Sequence, residues 1–155
     1  MLTEEEKKQI DEHSKEYPTK RAACIEALKI VQRNKKWISD DSLEDIADYL
    51  DMTVDELDSV ATFYSLIFRK PVGRHVILVC DSISCYIVGY PKLYEHLKKT
   101  LGISYGETTV DKRFTILPIR CLGSCDHAPA LMIDNDLHID LIPPEKINEI
   151  LKNYQ

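Results

Sequence analysis

Apolar positions recur at helical intervals over the first 70 residues and then give way to β-rich runs. Thr3 and Glu6 stand in the S/T-x-x-E arrangement of a capping box, which predicts a helix opening just after Thr3. Pro18-Thr19 resets the chain before a second helix, with Cys24, Ile25, Leu28 and Val31 at helical spacing. A third helix, capped by Asp41 or Ser42, carries Leu43, Ile46, Ala47 and Leu50 at i, i+3, i+4 and i+7. Thr53 and Glu56 form a second capping box, and the fourth helix sets Val54, Leu57, Val60, Ala61 and Tyr64 on one side. Stripes of this kind bury against one another, so a small helical bundle is predicted; nothing in them binds metal or phosphate.

The pattern changes at Arg69-Lys70-Pro71-Val72-Gly73, where Pro and Gly punctuate the chain and His75–Val79 begins a β-branched run. The expected domains are therefore 1–72, a helical bundle, and 73–155, an α/β domain. In the second, Leu93, Tyr94, Leu97 and Leu101 predict a helix over 91–100, and Phe114–Ile119 a strand. Ala130–Ile133 and Leu137–Asp140 flank Asp134-Asn135-Asp136 as a hairpin, and Pro143-Pro144 introduces a terminal helix with Ile147, Ile150 and Leu151. The order β-α-β-β-α predicts a parallel pair joined by a right-handed crossover, with the hairpin adding antiparallel strands. The fold class is thus α+β: a helical bundle followed by a compact α/β sandwich.

Four of the five cysteines fall in two tight pairs, Cys80/Cys85 and Cys121/Cys125. Two short segments offering two thiolates each supply four soft ligands, which suit a transition metal or an iron–sulfur cluster. Structural zinc knuckles usually take closer spacings such as C-x2-C. Here the intervals are x4 and x3, wide enough for a cluster with more than one iron, and C-x4-C also occurs in plant-type [2Fe-2S] ferredoxins. The remainder of that plant-type pattern is absent, since Cys121 lies 36 positions after Cys85. A Rieske centre would need two histidines, and only His127 stands beside a cysteine pair. Spacing therefore favours [2Fe-2S], with zinc and unrelated or disulfide-bonded thiols as the alternatives. Cys24, on the apolar face of the second helix, reads as a small core residue.

If the strands ending at Cys80 and just before Cys121 are parallel neighbours, both cysteine segments leave the same end of the sheet. Cys80 and Cys85 are then expected to hold one iron, and Cys121 and Cys125 the other. Gly123 is free to take positive φ, leaving amide N–H groups aimed at sulfur. Such donors raise a cluster's potential, whereas Asp81 and Asp126 would lower it; both aspartates otherwise read as solvated turn residues.

The charged start, Met1-Leu2-Thr3-Glu4-Glu5-Glu6-Lys7-Lys8, has no apolar run behind it, so neither a signal peptide nor membrane insertion is expected. A reducing compartment follows, which disfavours disulfides. The net charge of −6 and pI near 5.4 argue against nucleic acid as a partner. The nearest basic stretch, Arg33-Asn34-Lys35-Lys36, reads as a helix C-terminal turn, where cations favour the dipole.

Cys80-Asp-Ser-Ile-Ser-Cys85 after a strand, then Cys121-Leu-Gly-Ser-Cys125 with Ala128-Pro129-Ala130 and Met132-Ile133-Asp134, resembles the thioredoxin-like [2Fe-2S] ferredoxins of respiratory complex I. Ala61-Thr62-Phe63-Tyr64-Ser65 and Gly73-Arg74-His75 are similar to the E-type subunits of bacterial NADH:quinone oxidoreductase, so the resemblance runs through nearly the whole chain. It implies a thioredoxin-like second domain, one [2Fe-2S] cluster on Cys80, Cys85, Cys121 and Cys125, and an electron-transfer role beside a flavin-bearing, NADH-binding subunit. It also implies contacts with other complex I subunits and a cytoplasmic position, peripheral to the inner membrane. No G-x-G-x-x-G is present, so FMN and NADH are assigned to the partner. No thioredoxin C-x-x-C is present either, so no dithiol activity comes with the fold. Similar ferredoxin-like subunits occur in NAD-linked hydrogenases and formate dehydrogenases, which remain alternatives beside a structural zinc scaffold.

Overall fold

The structure, a computed structural model, describes residues 1–154. They separate into two compact units, Met1–Pro71 and the residues from Val72 onward.

The first unit contains α1 (Glu4–Ser14), a 3-10 turn (Lys20–Ala23), α2 (Cys24–Lys35), α3 (Asp40–Tyr49) and α4 (Val54–Phe63). Both capping boxes form: Thr3 N–H donates to Glu6 Oε2 at 2.8 Å and Thr53 N–H to Glu56 Oε2 at 2.9 Å. The cap of α3 differs from expectation. Ser39, in extended backbone, accepts from Ser42 N–H at 3.2 Å, while Asp40 and Asp41 occupy the first turn and favour the dipole there. Leu28, Val31, Leu43, Ile46, Ala47, Leu50, Leu57 and Ala61 share one core with Ile10, and Cys24 is partly buried against it. Val54 and Tyr64 stay exposed, because they are the first residue and the C-cap of α4 and leave its buried face.

Glu6 is buried and accepts from Thr3 N–H and from Asn34 Nδ2 at 3.0 Å. Burial alone would raise its carboxyl; the hydrogen bonds from Thr3 and Asn34 outweigh that and hold it below the usual carboxylate range. A depressed folded pKa means that this stabilisation is complete above the ordinary value of 4.5 and lost as pH falls through the folded value. Glu6→Gln is accordingly expected to flatten the acid side of the stability curve in urea titrations between about pH 3 and 6. Equal pH slopes for the two proteins would remove Glu6 from acid denaturation.

The second unit is a mixed sheet in the order β2-β1-β3-β4. Its strands are β1 (His75–Cys80), β2 (Phe114–Ile119), β3 (Leu131–Ile133) and β4 (Asp136–His138), and its helices α5 (Ile83–Val88), α6 (Tyr90–Leu101) and α7 (Lys146–Leu151). Because β1 is flanked on both sides, Val76 through Cys80 are all buried, which explains its unbroken apolar run. It pairs in parallel with β2, from His75↔Phe114 to Cys80↔Ile119, and antiparallel with β3. Ile77, Val79, Phe114, Ile116, Leu131 and Ile133 from the sheet pack with Leu93, Leu97 and Ile147 from the helices.

The α+β class stands, but the element order here is β-α-α-β-β-β-α. Each hairpin arm is a strand in its own right, and the first cysteine segment folds into α5. Ile83–Val88 gave no warning of this, since six residues, apolar apart from Ser84, show no helical period. Gly89, at φ 143°, closes α5 and lets α6 start at once. Among the described residues no helix is long and apolar enough to cross a membrane.

Candidate metal centre

The register of β1 against β2 places Cys80 level with Ile119, so Cys121 leaves the sheet only two residues beyond that level, at the same end. Cys80 closes β1, with its N–H donated to Ala130 O at 3.2 Å. Cys85 faces inward from α5, and both thiols pack with Ala130, Leu122 and Ala128. Cys121 and Cys125 are exposed, in the loop and 3-10 turn after β2.

The four thiols interact with one another. Cys121 and Cys125 place their sulfurs 3.8 Å apart. Two thiolates bound about 2.3 Å from one tetrahedral metal stand roughly 3.8 Å apart, so this pair already has a chelating separation. Cys80 lies within electrostatic reach of Cys85 and Cys121, and Cys85 of Cys125, while the Cys80 thiol donates to Arg120 O at 3.7 Å. Among the described residues no three His, Cys, Asp or Glu side chains are gathered as a single ion would require. Four soft donors brought to one end of the sheet match iron.

The surroundings separate the two pairs. Burial pushes the Cys85 thiol up to about 11, a cost that ligation to a cation offsets. Cys121 is instead held below the usual thiol value, first by Gly123 N–H, which donates to its Sγ at 3.3 Å. Gly123 adopts φ 80°, the conformation expected for it. The Ala130 amide opposes the rise at Cys85 without outweighing burial.

Some functional contacts were not foreseen. Ser82 and Ser84 of the first cysteine segment lie near enough to Cys121 and Cys125, respectively, to favour their thiolates. Their only trace in the sequence is that serines alternate with other residues between Cys80 and Cys85. Asp81 is more than a solvated turn residue: Oδ2 takes Arg120 Nη1 at 3.3 Å, while Oδ1 is buried without a hydrogen-bond partner. Asp126 does stay exposed, 3.5 Å from His127 Nε2. A cavity of about 820 Å³ lies away from this chemistry, among Arg74 and Arg113 just before β1 and β2, Leu101 and α7, and no thiol lines it.

Fold and donor types together define the class as a ferredoxin, with four thiols gathered at one end of an α+β sheet. The sequence profile of the thioredoxin-like [2Fe-2S] ferredoxins matches residues 10–155, and the chain belongs to that family. The E-type subunit of NADH-quinone oxidoreductase from Pseudomonas aeruginosa is 48% identical over 154 residues, 99% of this chain and 92% of that protein. Its Escherichia coli counterpart of the same name is 49% identical with the same coverage, 99% and 92%. The solved structure of an NAD+-reducing [NiFe]-hydrogenase in the H2-reduced state superposes with a TM-score of 0.70. It matches 83% of this chain at 23% identity, a likeness of fold, and this chain spans only 22% of that hydrogenase chain. Family membership sets the cofactor as one [2Fe-2S] cluster and displaces the zinc scaffold.

Proposed function

We propose that Cys80, Cys85, Cys121 and Cys125 hold the [2Fe-2S] cluster and that the chain relays single electrons as a subunit of NADH:quinone oxidoreductase. The observation that carries this reading is the meeting of two thiol pairs at one end of the β1–β2 pair. When bound, the cluster supplies one-electron storage and release. The chain fixes its ligands on a strand end, a helix and a glycine-bearing loop, and donates the Gly123 amide N–H to offset thiolate charge.

FMN and NADH belong to a partner subunit that oxidises NADH by hydride transfer and passes electrons singly to this centre. The oxidoreductase is the complex, and this polypeptide is its carrier. The chain sits on the cytoplasmic side, attached to the membrane through other subunits. Residues 1–72 form a bracing domain for a larger subunit, and 73–155 form the ferredoxin domain. Identity of 48–49% over nearly the full length supports the quinone-linked complex over the hydrogenase, whose likeness stops at 23%.

Anaerobic purification is expected to give a coloured protein with about two irons and two acid-labile sulfides per chain. NADH should reduce it only when the flavin-bearing subunit is added. A colourless zinc protein without sulfide would overturn the reading, and so would a cluster left oxidised by NADH with that subunit present.

A further inference from the structure

The β1–β2 pair delivers thiols at one end and two arginines at the other. Because the strands run parallel from His75↔Phe114, the residues just before them, Arg74 and Arg113, are neighbours at the start of the sheet. Arg74 N–H donates to Lys112 O at 3.0 Å and His75 N–H to Arg113 O at 2.8 Å. Both arginines line the open cavity of about 820 Å³, together with Lys152, Asn148, Leu101 and Leu151. Among the described residues none that lines it is acidic, in a chain whose net charge is −6. Each strand is six residues long, so the cavity lies about 20 Å from the thiols and its chemistry is separate from theirs.

Three gathered cations repel one another unless each is already engaged, and here none is fully engaged. The Arg113 guanidinium lies over the ring of buried Phe114, 4.7 Å from its centroid, which holds it in place. Asp111 Oδ2 stands 3.6 Å from Arg113 Nε, while Asp111 Oδ1 is committed to the turn, taking the Thr109 hydroxyl at 2.6 Å and Arg113 N–H at 3.0 Å. The terminal nitrogens of Arg113 make no hydrogen bond among the described residues. Arg74 is exposed, with Asp111 in electrostatic reach but not in an ion pair. Lys152 pairs with Glu149 at 2.7 Å, but both are exposed, and such a pair is worth little against a better anion. His96 Nε2 donates to Asn148 Oδ1 at 2.9 Å, which leaves the Asn148 amide nitrogen as a donor. The last residues of α6 and α7 also line the cavity, and their carbonyls repel an anion. Neither arginine's side chain donates to those carbonyls among the described residues, so the two guanidiniums are not engaged in capping.

A guanidinium fork matches the oxygens of phosphate in a bidentate fashion, and two forks side by side suit a group carrying more than one negative charge. Leu101 and Leu151 give the wall an apolar part, and the volume falls in the range of small-molecule sites, about 300–1,000 Å³. We propose that this cavity binds a small organic phosphate, its phosphate on Arg74 and Arg113 with Lys152 at the rim, and its apolar body against Leu101 and Leu151. The site goes beyond the electron-relay reading and does not depend on it.

The test uses cluster-loaded, isotope-labelled full-length protein, with adenosine diphosphate and inorganic phosphate as probes and amide shifts followed by nuclear magnetic resonance. Adenosine diphosphate is expected to saturate one site, to move the amides of Arg74, Arg113 and Lys152, and to bind at least about tenfold more tightly than inorganic phosphate. Arg74→Gln and Arg113→Lys should each weaken it at least about tenfold and leave the cluster's visible spectrum as in wild type; the second keeps the charge and removes the fork. Lys92→Gln is the control: Lys92 is exposed in the first turn of α6, at the end away from Leu101, and should bind as wild type. Absence of saturation, equal affinity for the two probes, or wild-type affinity in both arginine variants overturns the proposal. So does shielding of the two arginines from phenylglyoxal by a neighbouring subunit in the assembled complex when the free chain binds no adenosine diphosphate, a result that assigns the face to an acidic protein segment.

Discussion

Serine in place of Cys80 or Cys85 is expected to leave the protein without a cluster, whereas serine at Cys121 or Cys125 is expected to leave a cluster with an altered spectrum. All four changes substitute a hard oxygen donor for a soft sulfur, so the chemistry of substitution does not separate them. Burial does. Cys80 and Cys85 are each 2% exposed, one fixed at the end of the central strand and the other turned inward from α5. A serine there must lose its proton to bind iron, in a place where water cannot stabilise the alkoxide and the backbone cannot shift to meet a shorter metal–oxygen bond. At Cys121 and Cys125 the chain is exposed and turns through Gly123, so it can adjust and water can share the charge. Removing only an outer-shell partner of a metal commonly costs about 10–100-fold in affinity, so loss of a buried ligand should lower iron per chain by at least about tenfold. Iron and sulfide analysis, with electron paramagnetic resonance of the reduced proteins, measures both effects. Four wild-type spectra would end the ligand assignment; a harsher effect at the exposed pair would end the argument from burial.

The two pairs therefore differ in the work they do. The buried pair sits on a strand end and an inward helix face, and burial makes an unligated thiolate at Cys85 unfavourable. In the exposed pair the two thiols differ: Gly123 N–H favours the Cys121 thiolate, while the hydrogen bond with Cys121 pushes the Cys125 thiol up.

Much of this was legible in the sequence because its cause is local. A capping box declares itself in four residues, and Thr3–Glu6 and Thr53–Glu56 both form. The parallel pairing of β1 with β2, and with it the meeting of the cysteines, followed from two apolar runs separated by an amphipathic helix. What stayed hidden depends on tertiary context. Ser39 displaced Asp41 and Ser42 as the cap of α3 because the backbone enters the helix earlier than the first apolar residue indicates. Helix α5 had too few residues and too little polarity to show a period. The nearness of Ser82 and Ser84 to the opposite thiols exists only once both segments have left the sheet together.

Phe114→Ala is expected to destabilise the sheet-containing unit by about 3–5 kcal/mol while leaving the helical unit's own stability unchanged. Phe114 is fully buried at the start of β2, opposite His75, and packs with Ile77, Leu93, Leu97 and Leu131 in a core that takes nothing from the first unit. Leu28→Ala is the reciprocal change: Leu28 is fully buried in the helical core, where a cavity costs about 2–5 kcal/mol. The two units can be followed separately. Trp37, the sole tryptophan, lies in the helical unit and reports its unfolding by fluorescence. Amide hydrogen exchange of β1 and β2 reports the other, and Phe114→Ala should accelerate it roughly a hundred- to several-thousand-fold. If 72/73 is a true domain boundary, each mutation shifts its own reporter and spares the other. Equal shifts of both reporters by either mutation would mean that the chain unfolds as one cooperative body. The helical residues would then be part of the ferredoxin's own stability rather than a brace free to serve a neighbouring subunit.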